Sequence, residues 1–258
     1  MSSLQRIWVL AQNTCREAVR DKLLYNLLLF AALMIVSSIV LAKLHLGYDE
    51  RIYRDVGLAA IAMFGALIAI FVGINLVYRE ISQKTVHAML AKPVRRWEFI
   101  VGKYLGLVSL LALEIGIMSG FFLAVLLYKG SPWEWAMVWA IAFIFLELSL
   151  LTAVAIFFSS FTTPYLAGMF TVALWIIGHL LADVRDFGLQ PDAEGIRPLT
   201  EALYWSLPNL DRLDIKAAAA DGQPIEAARV AGAALYAVCY SGVLLMGGML
   251  LFQRRDFK

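Results

Sequence analysis

Two glutamates lie inside long apolar runs, where ionisable side chains are rare. Glu114 occurs in "LALEIGIM" and Glu147 occurs in "FLELSL". A charged group at the centre of a bilayer costs about 3 kcal/mol on insertion scales, so it normally faces other helices and has a partner there. Two interpretations are open. The glutamates line a transport path or a proton-linked site, or they form structural hydrogen bonds between helices with Asn75, Ser109, Ser149 or Thr152.

The remaining reactive residue types do not form a catalytic or metal-binding pattern. His179 and Asp183 are four residues apart and can share a hydrogen bond on one helix face, which is weak evidence for a metal. Cys15 and Cys239 are far apart in the chain, so neither a disulfide nor a CxxC metal site is expected. Because HExxH and a Ser/His pair are also missing, an intramembrane protease is disfavoured. We predict no catalytic residue, no metal and no cofactor in this chain.

Composition indicates which elements hold these residues. The chain has 258 residues, of which 61% are hydrophobic and 16% are charged, and its net charge is +2. That balance points to the membrane and away from nucleic acid. About 20 apolar residues of helix cross a bilayer core, and the sequence predicts six such spans in one domain over residues 1–258. They are Leu23–Leu44, Gly57–Tyr78, Phe99–Tyr128, Trp133–Phe158, Pro164–Leu181 and Val230–Phe252.

The fold class is therefore an all-α integral membrane protein, because lipid-exposed backbone must satisfy its own hydrogen bonds. Lys and Arg set its orientation. With six spans the termini share a side with residues 79–103, and this side holds 13 of the 22 Lys and Arg residues. Both termini are predicted to be cytoplasmic. The first run is a retained span rather than a signal peptide, because it is long and lacks a cleavage site.

Residues 1–22 have the three- and four-residue spacing of an amphipathic helix, with Trp8 suited to the headgroup level. This helix is a membrane-surface anchor or a connecting helix that also contacts a cytoplasmic partner. Residues 183–229 are predicted to form a long extracytoplasmic segment with short helices. Leu199–Leu207 is predicted to be one of them, with Thr200 as a cap and Pro208 as a stop. A second is predicted to end at Gly222.

Residues 79–98, "REISQKTVHAMLAKPVRRWE", interrupt the apolar pattern with a polar segment. Helical spacing places Val86, Met89 and Leu90 on one face. Pro93 then ends the helix, because it lacks a backbone donor and disfavours a helical residue before it. A short surface helix of this kind suits docking into a groove on another protein. The alternative is a positively charged retention signal that has no partner.

This segment resembles the corresponding region of type-2 ABC transporter permeases, the membrane subunits of bacterial ATP-driven exporters. Lys84 departs from the family, where many members have glycine. The amphipathic helix, the six spans and the long outer segment extend the resemblance over essentially the whole chain. Family members often have re-entrant or interfacial helices in this outer segment, so the resemblance implies short or re-entrant helices in residues 183–229. "YWSLPNLDRLD" in the outer segment also resembles relatives of the permease found beside nitrous oxide reductase genes. The matching positions in the polar segment are Glu80, Thr85, Leu90, Pro93, Val94, Arg96, Gly102 and Lys103.

The resemblance implies a second permease copy and two copies of a cytoplasmic ABC ATPase in the bacterial inner membrane. ATP and Mg²⁺ would be bound by the ATPase, since GxxxxGK[ST] is missing here. The segment after the second span would be a cytoplasmic coupling helix, with Arg79 and Glu80 as polar docking contacts. Val86, Met89 and Leu90 would form its apolar ridge, and Thr85 and Pro93 its turns. The expected membrane-interface anchors are Trp8, Arg95, Arg96 and Lys103.

The sequence thus predicts the permease subunit of an ATP-driven exporter without enzymatic activity of its own. The alternative is a non-transporting membrane scaffold or assembly factor with the same fold. The transported substrate is not readable from the residues.

Overall fold

The computed structural model describes residues 2–42, 49–82, 95–131, 134–190 and 195–253. Over these ranges the chain forms α-helices joined by short turns, with a 3-10 helix at Asp211–Leu213 and no strand. The helices are α1 Ser3–Val19, α2 Lys22–Ala42, α3 Asp49–Ser82, α4 Arg96–Tyr128, α5 Trp135–Ser159, α6 Pro164–Gly188, α7 Arg197–Ser206, α8 Lys216–Ala220 and α9 Ala227–Gln253.

The predicted spans are confirmed as helices, five of which are each long and apolar enough to cross a membrane. These five lie in α3, α4, α5, α6 and α9. The first predicted span corresponds to α2. Residues 24–40 of α2 follow α1 after a bend of 65°. Helices α1 and α2 together provide a sixth crossing if they are counted as one bent span. An all-α integral membrane protein is therefore the correct fold class.

Two of the helices form the centre of the bundle. The most apolar part of α3 is 78% buried and that of α5 is 67% buried, whereas those of α6 and α9 are only 22% buried. α5 packs against α3 and α9, and its side chains Leu148, Leu150 and Leu151 are fully enclosed. α6 and α9 consequently leave most of their apolar surface available to lipid or to another subunit.

Helices α3 and α4 are longer than the predicted spans within them. They contain 34 and 33 residues, which at 1.5 Å per residue gives about 50 Å each. A bilayer core of roughly 30 Å cannot enclose this length. Both helices therefore extend beyond the apolar layer into the polar stretches that the sequence places at their ends.

The described residues 195–226 of the outer segment contain short helices that pack on the bundle. α7 begins at Arg197, two residues before the predicted start, and Thr200 is not its cap. The Thr200 hydroxyl instead donates to the carbonyl of Arg197 inside the helix. The predicted second helix is α8, and Gly222 follows it with a positive φ of 70°, a backbone conformation that favours glycine.

Candidate coupling and transport sites

A two-point ion pair attaches α1 to the start of α4. The Arg6 guanidinium donates through Nε to Glu98 Oε2 at 3.0 Å and through Nη2 to Glu98 Oε1 at 2.8 Å. Glu98 Oε2 also accepts the backbone N–H of Arg95, the residue before α4, at 3.0 Å. The Glu98 side chain is fully enclosed while Arg6 is 22% exposed. One carboxylate therefore caps α4 and holds the amphipathic helix.

Two glycines let the same two helices approach closely. A Cβ on Gly102 would lie 2.7 Å from Leu10 Cβ, and one on Gly106 would lie 2.7 Å from the carbonyl oxygen of Ala11. Small residues four apart form a flat stripe that permits such backbone contact. The buried face of α1 is thus turned towards α4 and consists of Ile7, Leu10, Ala11, Thr14 and Ala18.

The predicted coupling segment lies mostly outside the described residues. Arg79 and Glu80 are in the last turns of α3, which continues as a helix to Ser82. The other predicted coupling residues, Thr85, Val86, Met89, Leu90 and Pro93, fall in 83–94, beyond the residues that the structure describes. Their role in ATPase docking therefore stays a prediction.

The four predicted interface anchors occupy different environments. Trp8 is exposed on α1, Arg95 is exposed before α4, and Arg96 is the first residue of α4. Lys103 is only 2% exposed, with its ammonium 5.9 Å from the centre of the Phe99 ring. Its side chain is thus enclosed by protein in this single chain, and the anchoring role of all four residues stays a prediction.

Glu147 lies at the centre of a polar cluster between α5, α6 and the outer segment. Its Oε1 accepts the indole N–H of Trp175 at 3.2 Å and lies 3.2 Å from His179 Nε2. Its Oε2 lies 3.9 Å from Lys216 Nζ, too far for a hydrogen bond. Lys216 Nζ instead donates to Asp214 Oδ2 at 2.8 Å. The outer segment thus reaches an intramembrane carboxylate.

The two hydrogen-bond contacts of His179 indicate where its ring protons lie. Its Nδ1 lies 2.9 Å from the carbonyl oxygen of Trp175, which only accepts hydrogen bonds, so Nδ1 carries a proton. Its Nε2 faces Glu147 Oε1, so one further proton is shared between the imidazole and the carboxyl group. Whichever group holds that proton, the His179–Glu147 pair is neutral as a unit.

Outside the membrane-spanning helices, Asp214 is held ionised by its neighbour. Burial alone would raise the pKa of Asp214, but the Lys216 ammonium outweighs it and the net result is a lowered pKa. The backbone N–H of Lys216 contributes a further hydrogen bond at 3.0 Å. Asp214 and Lys216 therefore form a second neutral pair beside the first.

The segment between α7 and α8 lies deep in the bundle. The backbone N–H of Leu210 donates to the carbonyl of Gly178 in α6 at 3.0 Å. A Cβ on Gly178 would lie 2.8 Å from Leu210 Cγ, so this contact requires glycine. Leu210, Leu213 and Ile215 are almost fully enclosed. The burial of this segment places Asp214 and Lys216 next to Glu147.

A second group of ion pairs fastens the end of α8. The Arg54 guanidinium of α3 contacts Glu134 Oε1 at 2.8 Å and donates to the carbonyl of Ala220 at 3.4 Å. Arg51 contacts Asp221 at 3.0 Å. Because Arg54 is almost fully buried, these contacts tie α8 to α3 and to the turn before α5.

The hydroxyl partners that the sequence offered for the glutamates are wrong. Ser109, Ser149 and Thr152 donate to carbonyls of their own helices, three or four residues earlier. Asn75 lies among residues whose side chains are not described. Glu114 is buried, and neither of its oxygens has a hydrogen-bond partner among the described residues.

Sequence reasoning also gave His179 the wrong neighbour and missed several residues. His179 pairs with Glu147 and not with Asp183. The sequence did contain a signal for this pair: Glu147 and His179 are ionisable residues inside consecutive predicted spans, where such residues usually contact each other. Sequence reasoning also missed four contacts: Arg6 with Glu98, Arg54 with Glu134, Trp175 with Glu147 and Lys216 with Glu147. The two residues of each contact are 28 to 92 positions apart in the chain and belong to different elements.

Together, the apolar helices and the buried polar cluster between them define a multi-pass membrane protein. The chain belongs to the ABC-2 transporter family, because the profile of the family described as "ABC-2 family transporter protein" matches residues 8–257. It is accordingly a membrane permease subunit of an ABC transporter, a class that works with an ABC ATPase and does not itself hydrolyse nucleotide. None of the curated proteins gives a significant match.

Proposed function

We propose that this permease is the membrane subunit of an ATP-driven exporter in the bacterial cytoplasmic membrane. A second permease copy and two copies of a cytoplasmic ABC ATPase complete the transporter. Both termini and residues 83–94 face the cytoplasm in this proposal, in agreement with the Lys and Arg bias. ATP and Mg²⁺ are bound by the ATPase, since this sequence has no phosphate-binding loop.

The main support for the proposal is that both ends of the segment 83–94 continue directly into long helices of the bundle. On one side α3 continues as a helix through Arg79 and Glu80 to Ser82. On the other side α4 begins at Arg96 with its first turn clamped to α1 through Glu98 and Arg6. A displacement of the segment is therefore transmitted to two helices of about 50 Å each.

The coupling follows from what each element contacts. α3 packs on α5 and α6, and α4 packs on α5, so tilting α3 or α4 changes the packing around the buried Glu147 cluster. A ligand-driven transition needs contacts that differ between two states. ATP binding and hydrolysis in the partner would supply that difference at the segment, and the packed helices would convey it to the transport path.

Co-purification of the ATPase tests this proposal. We expect Glu80→Arg, and separately deletion of residues 86–90, to abolish retention of the ATPase by the permease in detergent. Glu201→Arg is the matched control, because Glu201 is an exposed carboxylate of α7 on the other side of the predicted topology. The control should retain the ATPase.

A permease that retains the ATPase in both altered forms, with hydrolysis still coupled to transport, would overturn the assignment of the segment. A wild-type permease that binds no ABC ATPase would instead favour the membrane scaffold. A reading frame beside the permease gene that encodes a phosphate-binding loop would supply the ATPase for this experiment.

A further inference from the structure

A cavity of about 360 Å³ opens between α3 and α6 beneath the segment that carries Asp214 and Lys216. Its volume is in the range of small-molecule sites. Ala59 and Ala62 leave the space on the α3 side because their side chains are short. The cavity is mostly apolar, and its apolar walls are formed by Ala59, Ala62, Met63, Ile176 and Leu180.

The polar wall of the cavity contains one buried oxygen that has no hydrogen bond. Glu147 is 1% exposed, and its Oε1 is occupied by Trp175 and His179. Its Oε2 has no hydrogen-bond partner within the described part of the chain. Lys216 Nζ is 3.9 Å away and hydrogen-bonds to Asp214. An unsatisfied buried carboxylate oxygen is costly unless a ligand supplies the donor.

The ionisable side chains that line the cavity balance one another in two pairs. His179 and Glu147 share one proton and are neutral as a pair, and Lys216 and Asp214 form a second neutral pair. Adding an ion to an apolar cavity with no counter-charge left over is expensive. The electrostatics therefore favour a neutral ligand over an ammonium or a carboxylate.

We propose that this cavity binds a neutral amphiphile whose polar head is a hydroxyl or a primary amide. The head donates a hydrogen bond to Glu147 Oε2 and accepts one from Lys216 Nζ. A single group that both donates and accepts suits two atoms 3.9 Å apart, since each is then within hydrogen-bond reach of it. The apolar body of the ligand lies against α3 and α6.

The mouth of the cavity indicates how the ligand enters. Met63, Ile176 and Leu180 are between 39% and 51% exposed, on helices that span the membrane. A molecule dissolved in the bilayer can therefore reach the cavity laterally. The identification of this ligand as cargo rests on the exporter function proposed above, whereas the binding itself does not.

Four dansyl probes with the same five-carbon linker and different ends provide the test. They carry a hydroxyl, an ammonium, a carboxylate or only the terminal methyl group. Binding to the full-length permease in nanodiscs, without ATPase, is followed by tryptophan-sensitised dansyl emission, which selects probe held near residues such as Trp175 over probe in lipid. We expect the hydroxyl probe to bind at least ten-fold more tightly than the other three.

The Glu147→Gln variant tests the proposed hydrogen bond between the polar head of the ligand and Glu147 Oε2. The indole N–H of Trp175 can only donate, so it keeps the amide oxygen at the position of Oε1, and the amide NH₂ replaces the acceptor Oε2. The hydroxyl probe should lose at least ten-fold in affinity, and the methyl probe should change less than two-fold. Glu114→Gln is the matched control, because Glu114 is an equally buried glutamate that does not line this cavity.

Ala59→Phe fills the cavity from an exposed position of α3 without adding a tryptophan, and it should abolish the sensitised signal of all four probes. Equal affinities for the four probes, or unchanged binding of the hydroxyl probe in Glu147→Gln, would overturn the proposal. Tightest binding of the ammonium or carboxylate probe would overturn the neutral head. Because no ATPase is present, these outcomes leave the coupling proposal untouched, and loss of ATPase docking leaves the binding result intact.

Discussion

Arg6 and Glu98, 92 residues apart in the sequence, share a two-point ion pair of 2.8 and 3.0 Å. The guanidinium presents two parallel N–H groups to the two carboxylate oxygens, the geometry that makes arginine–carboxylate pairs specific. The same carboxylate caps α4 through the N–H of Arg95. A helix predicted as a surface anchor is thereby joined to the helix that follows the predicted coupling segment.

Arg6→Ala should release the N-terminal half of α1 from α4. Glu98 then keeps the capping N–H of Arg95 and the Ser3 hydroxyl but loses the guanidinium, so we expect faster proteolysis near residues 3–10 and a lower thermal unfolding midpoint. The Arg6→Lys variant should have a proteolysis rate and an unfolding midpoint between those of the wild type and Arg6→Ala, because lysine keeps the charge but not the two-point geometry. Arg16→Ala, an exposed arginine of the same helix, is the control. Equal proteolysis of the Arg6→Ala and Arg16→Ala variants would show that the ion pair does not hold α1.

Gly106→Leu should separate α1 from α4 by overpacking. The added side chain would meet Thr14 and the carbonyl of Ala11, and such insertions typically cost about 1–3 kcal/mol. Gly116→Leu in the same helix is the control, because open space surrounds Gly116. Thermal unfolding of the two purified variants measures the difference. A Gly116 variant as unstable as the Gly106 variant would contradict the close contact.

Arg54→Met should loosen α8 from the bundle. Glu134 would lose its partner and Ala220 its side-chain donor, and we expect a loss of about 2 kcal/mol, in the range for hydrogen bonds to charged groups. Hydrogen exchange over residues 216–221 should rise. Arg197→Met breaks an exposed pair with Glu201 and should cost less than about 1 kcal/mol. Unchanged exchange in the Arg54→Met variant would show that α8 is held by other contacts.

Cysteine labelling tests the orientation. Cys15 and Cys239 are first replaced by serine, because both are at least partly exposed. A membrane-impermeant maleimide should then label Lys84→Cys only in inside-out vesicles and Glu201→Cys only in intact cells. Labelling of Lys84→Cys in intact cells would reverse the predicted topology and remove the basis for a cytoplasmic coupling segment.

The sequence by itself determined the class of protein and the helices. Apolar runs long enough to cross a bilayer predicted six spans, and within the described residues each coincides with a helix apart from a few residues at its ends, because hydrophobic length and backbone satisfaction are local properties. The ends of the helices were less predictable. α3 extends from Asp49 to Ser82, well beyond Gly57–Tyr78, since polar residues continue a helix once it is nucleated.

Only the tertiary structure decided which polar groups meet. The hydroxyls of Ser149 and Thr152 were available to Glu147 by sequence, yet each donates to its own helix, a local alternative that serine and threonine always have. The partners of Glu147 come instead from α6 and from Lys216 in the outer segment. Such pairings depend on how helices pack and on where Gly178 admits Leu210, and no spacing along the chain encodes that geometry.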